Sequence, residues 1–186
     1  MGFLKQDELE KIGFKCLGKN VLISDKVSIY SPHLIEIGNN VRIDDFAILS
    51  PGTSLKIGNY VHIGCYTSLI GKGEIVLEDF VGISGRVSIY SSSDDYTGLG
   101  MTNPMIPIKY RRVTDGNITI HKHVIIGSGS IILPDVILDE GSSIGALSLV
   151  NKNCDKFSIY FGTPAIKIGK RQKKFLKYEK EFRSDN

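Results

Sequence analysis

The residues best suited to chemistry lie in one stretch, residues 91–116, which holds paired carboxylates, two arginines and no histidine. A carboxylate such as Asp94 or Asp95 can orient an amine or accept a proton from an ammonium group, although its ordinary pKa of about 3.9 makes it a weak base. Arg111 and Arg112 could face water or could contact a diphosphate, because a guanidinium group matches phosphate geometry. The stretch therefore suits a ligand that carries an amine, and it could also bind phosphate.

Two further polar residues of this stretch are candidates for ligand contact. Tyr96 follows the aspartates and could instead pack the stretch onto a neighbouring copy of the chain. Asn103 precedes Pro104, and an Asn-Pro pair indicates a turn. We expect the ligand to be contacted by these two residues together with the two arginines.

Three histidines are the remaining candidates for proton transfer, since an imidazole titrates near neutral pH. His121 and His123 follow the end of the stretch, so we expect them near its base. His62 lies earlier in the chain and could reach the same site from a neighbouring copy. For each of the three, a plain position on the surface is the alternative. No pair has a spacing that would bind zinc with a third ligand, so no metal site is predicted.

An aliphatic residue recurs every six positions on both sides of residues 91–116. A helix would return its apolar face every three or four residues, and a simple strand every two. A six-residue step suits a short strand followed by a sharp corner, and three such steps close a triangular coil of about 18 residues that stacks into a parallel β-helix. A β-sandwich would not explain so fixed a spacing. The aliphatic positions are Ile37, Ile43, Leu49, Ile57, Ile63, Leu69, Leu77, Ile83, Ile89, Ile120, Ile126, Ile132, Leu138, Ile144 and Val150.

The repeat also locates residues 91–116 in the fold. Two extra residues enter once per coil, after Leu49 and Leu69, and the long interruption follows Ile89 at the same corner. Residues 91–116 are therefore predicted to form a loop that protrudes from one edge of the prism, and a long loop on a rigid scaffold is usually functional. The predicted organisation is an N-terminal cap at 1–20, a β-helix domain at 21–160 that carries the loop, and a basic C-terminal tail with a short helix at 161–186.

Composition and charge exclude several classes of protein. A chain of 186 residues with 41% hydrophobic residues is typical of one soluble domain. A net charge of +3 with mixed signs gives no argument for nucleic acid binding, and no apolar run is long enough to predict a membrane span. The first residues, MGFLKQDELEKIGF, lack the apolar core of a signal peptide. Three cysteines without metal-like spacing fit reduced thiols, so we expect a cytoplasmic protein.

Several motifs resemble those of a known family. The six-residue pattern, the single protruding loop, the IGALSLVNKNC segment and the GTPAIKIGKR tail are similar to those of the left-handed β-helix, or hexapeptide-repeat, acyltransferases. Within that family, SSSDDYTG and MTNP resemble the enzymes that N-acetylate a nucleotide-linked 4-amino-4,6-dideoxyglucose in surface-polysaccharide gene clusters. The resemblance implies an all-β, left-handed parallel β-helix that forms a homotrimer. It also implies acetyl-CoA as acyl donor, bound between neighbouring prisms, and a dTDP-linked amino sugar of O-antigen or capsule synthesis as acceptor.

The same resemblance assigns residues of the late coils to the cofactor. Ser128, which follows a glycine, and Ala146 of the IGA segment are expected to line the arm of CoA. The segment after the last aliphatic position contributes polar contacts in the family, and here it supplies Asn151 and Lys152.

The basic tail is expected to meet the CoA phosphates. The candidates are Lys167, Lys170 and Arg171. Many relatives carry Lys where this chain has Ile166, so the resemblance leaves the phosphate ligand open among the three.

The loop also bears on the acceptor. Galactoside- and maltose-type O-acetyltransferases of the family place a histidine in the protruding loop, where it removes a hydroxyl proton. This loop has carboxylates instead, and an amine needs less help from a base than a hydroxyl does. The sequence therefore predicts transfer to an amino sugar, with a sugar O-acetyltransferase of the galactoside or maltose type as the alternative. A non-catalytic or metal-bearing β-helix is a further alternative, which the combination of loop, late-coil Ser and Ala, and basic tail disfavours.

Overall fold

The computed structural model describes residues 2–185 and consists mainly of short parallel strands. Met1 and Asn186, the outer ends of the predicted 1–20 and 161–186 segments, lie outside the described residues. Each complete coil contributes one strand to each of three sheets, and seven parallel strands stack in the second sheet. The chain is therefore a parallel β-helix of about seven coils, and the predicted fold class is confirmed.

The strands are named β1 to β22 in chain order. Those before the loop are β1 Cys16–Leu17, β2 Val21–Ile23, β3 Ser28–Ile29, β4 Ile35–Ile37, β5 Val41–Ile43, β6 Ile48–Pro51, β7 Leu55–Ile57, β8 His62–Ile63, β9 Ser68–Gly71, β10 Ile75–Leu77, β11 Gly82–Ile83 and β12 Ser88–Tyr90. Those within the loop are β13 Ser92–Asp94 and β14 Val113–Asp115. Those after it are β15 Ile118–Ile120, β16 Ile125–Ile126, β17 Ile131–Ile132, β18 Ile137–Leu138, β19 Ser143–Ile144, β20 Leu149–Val150, β21 Ser158–Phe161 and β22 Ile166–Lys170. The helices are α1 Gln6–Ile12 and α2 Phe175–Ser184, with 3₁₀ turns at Pro32–Leu34 and Ile108–Tyr110.

The register of the three sheets explains the six-residue repeat. The first sheet runs β1-β4-β7-β10-β15-β18, the second runs β2-β5-β8-β11-β16-β19-β21-β22, and the third runs β20-β17-β12-β9-β6-β3. Ile43 pairs with Ile63, and Ile63 pairs with Ile83, so equivalent aliphatic residues stack in a column. Each of the three is at most 1% exposed. The repeat is therefore the inner face of the prism, where stacked apolar side chains form one continuous core.

Small side chains fill the corners between sheets. The buried corner residues include Ala47, Thr67, Val87, Ser130, Ser142 and Ser148. The hydroxyls of Ser130 and Ser148 both donate to the carbonyl oxygen of Gly145, at 3.0 and 2.7 Å, so these buried donors are satisfied. Cys154 occupies a similar corner, and burial raises its pKa to about 12. Its thiol is therefore a poor candidate for a nucleophile.

The loop leaves and re-enters the prism at one point. The backbone N–H of Gly116 donates to the carbonyl of Ser91 at 3.0 Å, which closes the base of the loop. Just beyond, β13 and β14 pair antiparallel, with Asp94 opposite Val113. The loop therefore leaves the edge where the third sheet turns into the first, which is the corner that the sequence predicts, and it begins with a two-stranded stem that the sequence did not predict.

Both ends of the chain pack on the coils. Helix α1 covers the first coil with Leu9, which is 1% exposed. After the last coil, the chain reverses from β21 into antiparallel β22 and then forms α2. Helix α2 lies against stacked rings at the corner between the first and second sheets, where Phe182 meets Tyr60 and Phe80 edge-on at 5.1 and 6.3 Å. Neither described helix is long and apolar enough to cross a membrane.

Candidate active site

The two adjacent aspartates of the loop have different surroundings. The backbone N–H and the hydroxyl of Thr97 donate to Asp95 Oδ1, at 2.9 and 2.5 Å, and the N–H of Gly100 donates to Asp95 Oδ2 at 2.9 Å. These hydrogen bonds, that of the Thr97 hydroxyl foremost, lower the pKa of Asp95. Asp95 therefore holds the loop backbone in its shape.

Asp94 instead faces a groove. It ends β13 and is exposed, and within residues 2–185 no side chain or backbone donor pairs with its carboxylate. The groove encloses about 520 Å³ between the loop and the outer face of the third sheet. Its remaining lining residues are Tyr90, Ser92, Ser93, Tyr96, Ile131, Leu133 and Leu149. A charged carboxylate beside an apolar floor is a suitable contact for a sugar that bears an ammonium group.

The other loop candidates divide into ligand-facing and structural residues. Tyr96 is 93% exposed and shares the groove with Asp94, so it is free to contact a ligand. Asn103 adopts a positive φ of 73° and accepts a hydrogen bond from the N–H of Met105 at 3.0 Å, which forms the turn expected from Asn-Pro. Arg112 is exposed, whereas the Nε of Arg111 is buried and has no partner among the described residues.

His121 and His123 lie on a different edge from the loop. One strand, β15, separates them from the loop's base, and His121 pairs through Nδ1 with Glu78 at 3.0 Å. His123 is 9% exposed, stacks on Phe80 at 5.0 Å between ring centres, and pairs through Nε2 with Glu179 of α2 at 2.7 Å. Within a single chain, neither imidazole therefore joins Asp94.

Ser128 and Ala146 lie one above the other on the edge where the second sheet turns into the third. Both are exposed, and the N–H of Leu147 donates to the carbonyl of Ser128 at 2.9 Å, which ties the two coils together. The N–H groups of Ser128 and Ala146 have no acceptor within residues 2–185. A row of free outward donors beside small side chains suits an extended ligand with amide carbonyls, which is the chemistry of the CoA arm.

The three basic residues of the tail differ in whether they already contact other groups of the chain. Lys167 pairs with Asp155 at 2.8 Å, and that hydrogen bond raises the pKa of the lysine. Arg171 Nη1 donates to the carbonyl oxygens of His123 and Gly141, at 2.6 and 3.2 Å, and burial lowers its pKa. Lys170 is exposed at the end of β22. Arg171 thus fixes the tail to the coils, while the lysines remain at the surface.

Asn151 and Lys152 are exposed directly after β20. They follow the last aliphatic position and lie beyond Ala146 in the chain, as the resemblance implies for residues that contact the cofactor.

A cluster around His62 contains a residue that the sequence did not reveal. Asp44 accepts hydrogen bonds from the Nε of Arg42 and pairs with Nε2 of His62, both at 2.8 Å. Asp44 is 8% exposed, and although burial acts to raise its pKa, the hydrogen bonds from Arg42 and His62 outweigh burial and lower it. The 20-residue step that stacks β5 on β8 places Arg42 beside His62. This spacing is the feature of the sequence that could have predicted the cluster.

Comparison with known proteins places these features in context. The chain is 50% identical over 184 residues to dTDP-4-amino-4,6-dideoxy-D-glucose acyltransferase of Escherichia coli, which covers 98% of this chain and 96% of that enzyme. No family model matches the chain.

Solved structures agree with this similarity. AntD, an N-acyltransferase from Bacillus cereus, is 46% identical, and its D94N mutant in complex with dTDP and coenzyme A superposes with a TM-score of 0.97 over 100% of both chains. Its S84A mutant, in complex with dTDP-4-amino-4,6-dideoxyglucose and coenzyme A, has a TM-score of 0.95, covering 100% of this chain and 99% of that one. AntD is also solved with dTDP and 3-hydroxybutyryl-CoA. A maltose O-acetyltransferase from Clostridium difficile 630, 19% identical with a TM-score of 0.61 over 91% of this chain and 80% of that one, shows the shared fold alone.

Proposed function

The chain belongs to the hexapeptide-repeat β-helix acyltransferases, and we propose that it transfers an acetyl group from acetyl-CoA to the 4-amino group of dTDP-4-amino-4,6-dideoxyglucose. The product is the type of sugar that O-antigen or capsule synthesis consumes. AntD has also been solved with 3-hydroxybutyryl-CoA. This longer acyl-CoA is therefore the alternative donor to compare with acetyl-CoA.

The observation that carries this proposal is the unpaired carboxylate of Asp94 beside an apolar groove. AntD was crystallised with substitutions at positions 94 and 84, and this chain, which matches it over its full length, has Asp94 and Ser84 at those numbers. A carboxylate in the loop can hold the ammonium form of the acceptor by a charge-assisted hydrogen bond and aim its nitrogen after deprotonation. Asp94 is therefore assigned to orient the amine.

The donor is assigned to the edge that carries Ser128 and Ala146. Their free N–H groups are suited to the amide carbonyls of the CoA arm, with Asn151 and Lys152 as polar contacts and Lys167, Lys170 and Arg171 as the basic residues nearest the phosphates. Because Arg171 is already bound to backbone carbonyls and Lys167 is paired with Asp155, Lys170 is the candidate phosphate ligand that has no competing partner within residues 2–185. In the reaction, the amine nitrogen forms a bond to the thioester carbonyl carbon, the carbon–sulfur bond breaks, and the amine proton goes to a base.

The active site is assigned to the groove between two protomers of a homotrimer. Ser84 lies on the edge before the third sheet and Asp94 on the edge after it, so a strand of the prism separates them within one chain. The loop of one protomer can reach the Ser84 edge of its neighbour if three copies associate about a common axis. Tyr96, Asn103, Arg111 and Arg112 of the loop, and His62 of the neighbour, are then the candidate contacts of the nucleotide sugar.

A transfer assay with matched acceptors tests the proposal. Purified chain is mixed with acetyl-CoA and dTDP-4-amino-4,6-dideoxyglucose, thiol release is followed, and the product mass is measured. The control acceptor is dTDP-6-deoxyglucose, which carries a hydroxyl in place of the amine. We expect thiol release and one added acetyl group with the amino sugar alone. Equal transfer to the hydroxyl sugar would favour O-acetylation, and release no faster than without acceptor would contradict the proposal.

A further inference from the structure

The cluster of His62, Asp44 and Arg42 has the geometry of an oriented base. The Nε2 of His62 lies 2.8 Å from Asp44 Oδ2, so an Nε2–H that donates to the carboxylate leaves Nδ1 as the acceptor nitrogen. The Nε of Arg42 holds the other oxygen of Asp44 at 2.8 Å and keeps the carboxylate in place. A carboxylate that fixes the tautomer of an imidazole and stabilises its protonated form is the arrangement that general bases use.

The cluster lies next to Ser84 on the same outer surface. His62 pairs directly with Gly82, and Ser84 follows two residues beyond Gly82, just after the neighbouring strand ends. Asp44 stands in the same relation on the coil before, two residues beyond Arg42, and it contacts His62. The register therefore places His62 on the coil between Asp44 and Ser84.

A small residue on the next coil leaves room beside the imidazole. Gly82 pairs with His62, and a Cβ there would meet only Ile125 Cγ1, at 4.0 Å. The side chain of His62 is half-exposed and lines an open groove, so a ligand can reach the imidazole from outside the prism.

We propose that His62 is the catalytic residue that takes the proton from the acceptor amine, with Asp44 and Arg42 as its positioning residues. This inference rests on the proposed function, since it supplies the base that the reaction needs. Carboxylates are in general weak bases near neutral pH, whereas imidazoles are the side chains most often used for proton transfer at that pH. The proton passes from the amine nitrogen to Nδ1 as the nitrogen–carbon bond forms and the carbon–sulfur bond breaks, and it then goes to the released thiolate of CoA.

The charged and titratable groups around the imidazole define its expected behaviour. Asp44 and Arg42 face it from the preceding coil, and Tyr60 lines the same open groove. The Asp44 carboxylate is in direct contact with the imidazole, and Arg42 holds that carboxylate in place. Removing the charge of Asp44 is therefore expected to weaken the contact that orients the ring.

The test compares His62→Gln and Asp44→Asn with the matched control His33→Gln, which changes an exposed histidine on another corner. With dTDP-4-amino-4,6-dideoxyglucose and acetyl-CoA, kcat/KM of the wild type is expected to rise with pH through the imidazole range. His62→Gln should lose about 10²-fold or more near neutral pH and should lose that limb of the profile. Asp44→Asn should keep the limb but lower kcat while leaving the KM for the nucleotide sugar nearly unchanged, and His33→Gln should leave both the rate and the pH profile unchanged.

Three results would overturn the inference while leaving the proposed function intact. The first is an active wild type with His62→Gln within threefold of it at every pH. The second is a loss that appears only as a higher KM for the nucleotide sugar, which would make His62 a binding residue. The third is a His62→Gln variant that, at every pH tested, either fails to fold and assemble or binds CoA more weakly than the wild type does. Absence of transfer by the wild type would instead contradict the proposed function.

Discussion

At the scale of single residues, neighbours in sequence have different roles. Asp94 and Asp95 are adjacent, yet Asp95 is bound by Thr97 and Gly100 while Asp94 faces the groove. The sequence predicted that the pair is important, but it could not separate the two, because the difference depends on which carboxylate the loop backbone encloses. Asp44 and His62 show the reverse: they are 18 positions apart in sequence, yet they form one pair because successive coils stack.

One prediction at this scale concerns Ala146. Ala146→Trp should weaken CoA binding by at least about tenfold, because a bulky side chain would cover the free N–H groups and fill the edge where the cofactor arm is assigned. Calorimetric titration with CoA measures the affinity, and the thermal unfolding midpoint shows whether the fold is intact.

The matched control is Lys156→Trp, which adds the same bulk at an exposed position of another corner. It should bind CoA as the wild type does. Unchanged CoA affinity in folded Ala146→Trp would remove Ala146 from the site.

At the scale of elements, the strands were predictable and the docking of α2 was not. The period of six fixes which residues enter the core, because every coil repeats the last one. Helix α2 instead packs on rings that share one corner position in successive coils, Tyr60, Phe80 and His123. The sequence predicted His123 as a candidate for catalysis, but the structure buries it under α2 beside Glu179. That contact joins residues 56 positions apart, and no local pattern reports it.

The contact of Glu179 makes the docking of α2 depend on pH. Burial acts to raise the pKa of Glu179, but the hydrogen bonds from Arg183 and His123 outweigh burial and lower it. The stabilisation is therefore present above the ordinary glutamate pKa of about 4.3 and is lost as pH falls through the lower folded value. Ring signals of Phe175 and Phe182 in nuclear magnetic resonance spectra should report release of α2 in that acidic range.

Glu179→Gln should release α2 partly even at neutral pH, with amide exchange in residues 175–184 faster by about fivefold, which corresponds to about 1 kcal/mol. Glu181→Gln, on the exposed face of the same helix, is the control and should change exchange little. Equal exchange in the two variants would show that the pair with His123 does not hold the helix.

At the scale of the whole molecule, the assigned groups are split between two edges of the prism. The edge that is proposed to bind CoA carries Ser128 and Ala146, and the loop with Asp94 leaves from the opposite side of the third sheet. One chain would therefore offer two halves of the proposed site, and the trimer that the resemblance implies would join them. The sequence could predict the loop and the edge separately, but their meeting would depend on contacts between copies, which no spacing within one chain encodes.

Subunit complementation tests this arrangement. Asp94→Asn and Ala146→Trp should each lose most activity alone, whereas mixed trimers should regain up to about one third of the wild-type sites, because a site needs an intact edge from one protomer and an intact loop from its neighbour. Activity is measured after the two variants are co-expressed and purified together through different tags. If the mixed trimers are no more active than the separate variants, both halves of the site lie in one chain.

The most direct test of the central claim is the kinetic effect of Asp94→Asn on transfer from acetyl-CoA to dTDP-4-amino-4,6-dideoxyglucose. The substitution keeps the size of the side chain and removes the charge that is assigned to hold the amine. A hydrogen bond to a charged group contributes about 1.5–3 kcal/mol, so kcat/KM for the amino sugar should fall by at least about tenfold. The KM for acetyl-CoA should stay nearly constant, because Asp94 is not assigned to touch the donor. A loss below about threefold in kcat/KM, with the fold intact, would contradict the account.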